Sequence, residues 1–172
     1  MNSGTSNILI TGAPGVGKTT LIRALVDRLR ERRPSGFYTS EIRKSGVRQG
    51  FELQSLDGRR GILAHTGVRS EFRVGKYGID IQAFEFFLEA LNLPAQSGSL
   101  VIIDEIGKME CFSVAFRQVI DGLLCSHATL IATIAERGTP FIEACKRRPN
   151  TMLFTLTREN RTIIAEQIIG LL

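Results

Sequence analysis

Residues Gly12-Ala13-Pro14-Gly15-Val16-Gly17-Lys18-Thr19 conform to G-x-x-x-x-G-K-[ST], and no other stretch constrains the fold of this chain as much. Such a loop works only when a strand leads into it and a helix leads out. Both flanks comply. Asn7-Ile8-Leu9-Ile10-Thr11 is a short apolar run of the kind that forms a buried strand. From Thr20 onward, Leu21, Leu25 and Leu29 recur at every fourth position, which predicts a helix. The glycines allow the backbone to curl so that several N–H groups point inward as an anion-binding nest. The positive end of the following helix reinforces it. In that frame Lys18 reaches the β- and γ-phosphates of a nucleotide, the Thr19 hydroxyl takes a magnesium ligand position, and Thr20 completes the loop. The sequence therefore predicts a phosphate-binding P-loop and a nucleoside triphosphate or diphosphate as ligand.

Strand and helix patterns alternate through the second half of the chain. Residues 100–104, 128–134 and 151–156 read as strands, and residues 113–124, 140–147 and 158–169 as helices. This alternation predicts an α/β fold, a mostly parallel central sheet covered by helices on both faces. Residues 36–42 read as another strand, and residues 80–94 as a helix capped by Asp80 with an apolar face of Phe84, Phe87 and Leu88. Between them, residues 43–79 have a different texture. Alternating runs around Asp57-Gly58 predict an antiparallel hairpin inserted beside the main sheet. The polar, basic, glycine-bearing residues 66–78 are expected to form a mobile loop near the ligand. The whole chain, 1–172, reads as one domain.

Composition narrows the function classes. A hydrophobic content of 43% with 23% charged residues is ordinary for a globular protein, and no apolar run reaches membrane-spanning length. The first residues lack the basic-then-apolar order of a secretory signal, so a cytoplasmic location is expected, or a nuclear one if the source has a nucleus. Cys111, Cys125 and Cys145 are odd in number and far apart, which argues against a zinc site or a disulfide framework. The net charge of +5 permits nucleic acid as a partner, but no recognition motif supports it, and the same charge suits a polyanionic nucleotide.

A second half-site follows Leu100-Val101-Ile102-Ile103. This dense apolar run suits a central parallel strand, and it ends in Asp104-Glu105. Ligands of open α/β sheets bind at the carboxyl ends of strands. Asp104 there is placed to hold Mg²⁺, directly or through water. Glu105, expected on the opposite side of the strand end, is a candidate to orient or deprotonate an attacking water. Asp104-Glu105-Ile106-Gly107 also fits the D-x-x-G of GTP switches, which makes the Gly107 N–H a candidate γ-phosphate donor. No Asn-Lys-x-Asp follows to read guanine.

With these motifs in view, the chain resembles the thermophilic or cancer-related nucleoside-triphosphatase family, a P-loop group related to nucleotide kinases and RecA-like ATPases. The resemblance is carried by residues 10–20, 36–43, 74–80, 102–110 and 157–161, which together span nearly the whole chain. Cys111 stands where the family pattern leads one to expect a leucine-like residue. The resemblance implies hydrolysis of ATP, GTP and other nucleoside triphosphates to diphosphate and phosphate, with little base discrimination and with Mg²⁺ as cofactor. Asn160 and Arg161, beyond the last strand, are candidate base contacts, the guanidinium stacking on any base. Glu41, Arg43, Lys76, Lys108 and Arg137 are candidate supporting charges, and a cation of the 43–79 insertion is a candidate arginine finger. Two other readings stay open: a nucleoside or small-molecule kinase built from the same parts, and a nucleic-acid-stimulated ATPase. The oligomeric state is not legible.

Overall fold

The computed structural model describes residues 7–172. Its first strand, β1 (Asn7–Thr11), is buried throughout, and the P-loop delivers the chain into α1 (Lys18–Arg28). A single 3-10 turn at Arg30–Arg32 follows. Next come β2 (Ser35–Lys44), β3 (Val47–Ser55), β4 (Arg60–His65), β5 (Arg73–Val74) and β6 (Tyr77–Ile79). The remaining elements are α2 (Ile81–Leu91), β7 (Leu100–Ile106), α3 (Val114–Leu124), β8 (Thr129–Ile134), α4 (Pro140–Lys146), β9 (Thr151–Thr155) and α5 (Arg161–Gly170).

All nine strands join one sheet, in the order β5-β6-β4-β3-β2-β7-β8-β1-β9. The half from β2 to β9 is parallel, and the half from β2 to β5 is antiparallel. β2 belongs to both halves. Alternation along the parallel strands sends side chains to two separate cores. Ile8, Ile10, Leu100, Ile102 and Ile131 pack with Leu21, Leu25, Ile164 and Ile168 of α1 and α5. Leu9, Val101, Ile103, Leu130 and Ala132 pack on the opposite face with Phe84, Phe116 and Ile142 of α2, α3 and α4. Phe37 of β2 anchors the second core, with its ring edge-to-face against Phe84, Phe87 and Phe116.

Helix ends follow their caps. The Asp80, Ser113 and Thr139 side chains accept hydrogen bonds from the N–H groups of Ala83, Phe116 and Ile142. The last helix begins at Arg161 instead of residue 158. Asn160 accepts the Thr157 N–H and donates to the Thr155 carbonyl, which holds residues 157–160 in a turn.

The expected antiparallel insertion is present, and its strands extend the main sheet, because β2 runs on to Lys44 and turns back at Ser45-Gly46, both with positive φ, into β3. One expectation for it needs correcting. Residues 66–78 are not a loop at the ligand site. They carry β5 and β6 at the far edge of the sheet, with β4, β3 and β2 between them and β7. The Asp57-Gly58 turn exists as expected, but at the end of the sheet away from the P-loop, where Leu56 N–H donates to the Gly36 carbonyl.

Candidate active site

The P-loop conformation depends on its glycines. Gly12, Gly15 and Gly17 have φ of 151°, 76° and 104°, a region that side chains with a Cβ rarely adopt. Two of them are also crowded. A Cβ on Gly12 would lie 2.6 Å from the Leu156 carbonyl oxygen, and one on Gly17 would lie 2.4 Å from Arg161 Nη2. Among the described residues no side chain caps α1, so the amides at its start are left for a ligand. Lys18 folds over the loop and donates to the Gly12 carbonyl at 2.8 Å.

β1 and β7 bring the two half-sites together, with β8 between them. The Thr19 hydroxyl donates to Asp104 Oδ2 at 2.5 Å, a contact across 85 residues of sequence. The other oxygen, Oδ1, accepts from the Thr133 hydroxyl at the end of β8, and the Asp104 carbonyl accepts from Thr39 of β2. Asp104 is 3% exposed, and burial pushes its carboxyl above the usual carboxylate range against the opposing pull of Thr133, Thr19, Lys18 and Arg23. A buried hard-oxygen pair of this kind fits a magnesium ion, which binds through one or two protein oxygens and completes its shell with water and phosphate.

Glu105 opens on the same cavity as Asp104, not on the opposite side of the strand end. Strict alternation lapses here, because the β7–β8 register shifts between Ile103 and Ile106. Burial raises the Glu105 carboxyl, Lys18 pulls it down, and Asp104 raises it. A third acid, Glu110, which sequence reasoning did not single out, lies in the 3-10 turn Glu110–Phe112. Burial, then the charge of Glu105, push it up to about 8. Gly107 makes room for both acids, since a Cβ there would lie 2.7 Å from Glu110 Oε2 and 2.8 Å from Glu105 Oε1.

These groups line a cavity of about 800 Å³. Its P-loop wall is Gly12, Pro14, Gly15, Gly17, Lys18, Thr19 and Thr20; Asp104, Glu105 and Glu110 form its acidic floor. Of the expected supporting charges, Glu41, Lys108 and Arg137 reach the wall, whereas Arg43 and Lys76 do not. Thr39, Ser40, Arg48 and Phe51 of β2 and β3 also reach it, a set that only the strand register discloses.

Ala13, Val16, Gly107, Asn160 and Arg161 stand off the cavity wall. Arg161, the candidate base contact, is engaged at the P-loop. Its Nη2 donates to the Val16 carbonyl at 3.1 Å and the guanidinium presses on Gly17, so it braces the P-loop from behind. The side-chain amide of Asn160 accepts from the Thr157 N–H and donates one N–H to the Thr155 carbonyl. The three cysteines are free, Cys111 and Cys145 buried and Cys125 exposed. Among the described residues, no helix is long and apolar enough to cross a membrane.

Comparison with known proteins places the chain in a family and agrees with the fold. The NTPase family model matches residues 7–169. The nucleoside-triphosphatase THEP1 of Thermotoga maritima is 43% identical over 166 residues, covering 96% of this chain and 94% of the relative. The human cancer-related nucleoside-triphosphatase is 38% identical over 179 residues, covering 95% and 94%. The crystal structure of THEP1 from Aquifex aeolicus superposes with a TM-score of 0.83 at 37% identity, over 96% of this chain and 98% of that one.

Proposed function

Because this chain belongs to the nucleoside-triphosphatase family, we propose that it is a magnesium-dependent hydrolase that cleaves ATP, GTP and other nucleoside triphosphates to the diphosphate and phosphate within one domain spanning the chain. The observation that carries the reading is the Thr19–Asp104 hydrogen bond, which joins the P-loop and the acid strand into one oxygen-donor pair beside the phosphate nest. Thr19 and Asp104 would hold the magnesium ion, which when bound neutralises charge on the phosphate oxygens.

The chain's own groups then divide the work. P-loop amides and the start of α1 receive the phosphates, and Lys18, which rests on the Gly12 carbonyl, swings to a phosphate oxygen. Glu105 accepts a proton from water as the water oxygen bonds to the γ-phosphorus. The β–γ bridging oxygen leaves with its electron pair on the nucleoside diphosphate. A carboxylate kept above its usual pKa by burial is a better base for this step than a solvated one. Low base selectivity is part of this reading, supported by the lack of an Asn-Lys-x-Asp guanine-reading motif in the sequence.

The test is release of phosphate from ATP, GTP, CTP and UTP, with magnesium and with a chelator, in the presence and absence of nucleoside acceptors and nucleic acid. Comparable magnesium-dependent release from all four without an acceptor supports the reading. Diphosphate formation that requires an acceptor, without free phosphate, would overturn it in favour of a kinase. Release that requires nucleic acid would favour a stimulated ATPase.

A further inference from the structure

The antiparallel half of the sheet carries cations out of proportion to its acids: Arg43, Lys44, Arg48, Arg59, Arg60, Arg69, Arg73 and Lys76 lie in residues 43–79. Of these, Arg48 lines the cavity. The other arginines with contacts are engaged elsewhere: Arg43 on Glu41 and the Gly46 carbonyl, Arg59 on Asp57 and the Ala90 carbonyl, Arg60 on Glu52, and Arg73 on the Lys76 carbonyl.

Topology explains how Arg48 arrives there. β2 pairs with β7 over Ser35–Tyr38, then continues through Thr39–Lys44 paired with β3 and no longer with β7. Those six residues carry β2 about 20 Å past its pairing with β7 at ~3.3 Å per residue, and since β7 itself runs on to Ile106, the last four of them, roughly 13 Å, overshoot its carboxyl end. A register shift between Ile42 and Arg43 adds twist, and the Ser45-Gly46 turn then sets Arg48 opposite Arg43. The overhang begins at Thr39, which is hydrogen-bonded to the carbonyl of the metal-site residue Asp104 at 3.0 Å.

The guanidinium is held on several sides. Its Nε–H donates to the Tyr77 hydroxyl at 2.9 Å and an Nη1–H donates to Glu41 Oε1 at 2.7 Å. Its carbon sits 5.2 Å from the Phe51 ring centroid and 5.5 Å from that of Tyr77. A guanidinium carries five N–H groups, so three stay available, and among the described residues no acceptor engages Nη2. Glu41 does not cancel its charge, because that one carboxylate is shared with Arg43, leaving the trio one positive charge in excess. With the rings against the guanidinium, what it offers the cavity is its donor edge, which suits phosphate oxygens and not base stacking.

Resting on the hydrolase reading above, we propose that Arg48 is an arginine finger supplied in cis: its free N–H groups meet the terminal phosphate and stabilise the charge that develops there during cleavage. Glu41, Phe51 and Tyr77 are its positioning residues. Fixing the finger before the ligand arrives lowers the entropy that a surface arginine would lose on engaging phosphate.

The experiment measures three quantities on wild type, Arg48→Ala, Arg48→Lys and, as a control from the same half of the sheet, Arg60→Ala. These are phosphate release from ATP, affinity for ADP with magnesium, and affinity for ADP with magnesium and aluminium fluoride, a mimic of the transferring phosphoryl group. Arg48→Ala is expected to lower kcat by about 10³- to 10⁵-fold. It should keep ADP affinity within about twofold and lose the tightening that the fluoride confers; a group absent from the diphosphate complex contributes nothing there. Arg48→Lys, which keeps the charge without the fork, should stay closer to Arg48→Ala than to wild type. Arg60→Ala should match wild type. A mixture of Arg48→Ala with Lys18→Ala should regain no activity, and regained activity would overturn supply in cis. Unchanged turnover in Arg48→Ala, or equal loss of ADP and fluoride-complex affinity, would overturn the assignment while leaving the hydrolase reading standing. Absence of phosphate release from the wild type would overturn that reading and the finger together.

Discussion

Glu105 and Glu110 cross the same glycine yet are expected to respond to substitution in different ways. Glu105 lies beside the Asp104–Thr19 pair, and Glu105→Gln should leave magnesium–nucleotide binding nearly intact while slowing hydrolysis about 10²- to 10⁴-fold, the span of a lost general base. Asp104→Asn should instead raise the magnesium concentration needed for half-maximal rate. Titrating magnesium against phosphate release in both variants checks the division, and parallel behaviour would refute it. Glu110 affects stability. Its carboxyl ionises at an ordinary 4.5 when unfolded and at about 8 when folded. Below pH 4.5 both states hold the proton. As pH rises toward 8 the unfolded chain releases it first, so stability falls, by up to about 1.4 kcal/mol per pH unit. Glu110→Gln should therefore match wild type in urea near pH 4.5 and exceed it near pH 8.5. Equal midpoints at the higher pH would show that Glu110 is not held protonated.

At the scale of elements, the P-loop depends on a helix far from it in sequence. Arg161 opens α5, hydrogen-bonds the Val16 carbonyl and abuts Gly17, so α5 and the loop behave as one unit. Gly17→Ala meets both a positive φ and the guanidinium, and is expected to cost at least tenfold in nucleotide affinity by calorimetry. Arg161→Ala relieves the crowding but frees the loop. It should weaken ATP and inorganic tripolyphosphate alike, whereas loss of a stacking contact to the base would weaken ATP and spare tripolyphosphate. What the sequence disclosed tracks the range of the interaction. The strand–loop–helix unit and the apolar run ending in Asp104 are local, and both were legible from residue order. Which cation of the insertion reaches the cavity, the buried Glu110 and the contact of Arg161 with the P-loop were not, because each follows from register, overhang or the packing of distant elements. Asp57-Gly58 shows the same limit: the turn was readable, but which end of the sheet it occupies was not.

For the molecule as a whole, the two sheet halves share one phenylalanine cluster. Phe37, fully buried, joins α2 and α3 to β2 through contacts with Phe84, Phe87 and Phe116. Phe37→Ala should cost about 3–5 kcal/mol in urea unfolding, as deletion of a core aromatic does, and the parallel and antiparallel halves should lose structure in one transition. Separate transitions for the two halves would contradict a common core. The double membership of β2 also bears on how such a protein can be recombined. Residues 43–79 look in sequence like an excisable cassette, yet their first strand begins at Ser35, inside the nucleotide-binding half. A graft cut at residue 43 would sever the Thr39 tie to the acid strand from the hairpin it aims. The antiparallel half is thus transferable only together with the strand that roots it and with β6, whose buried Tyr77 receives the Arg48 Nε–H.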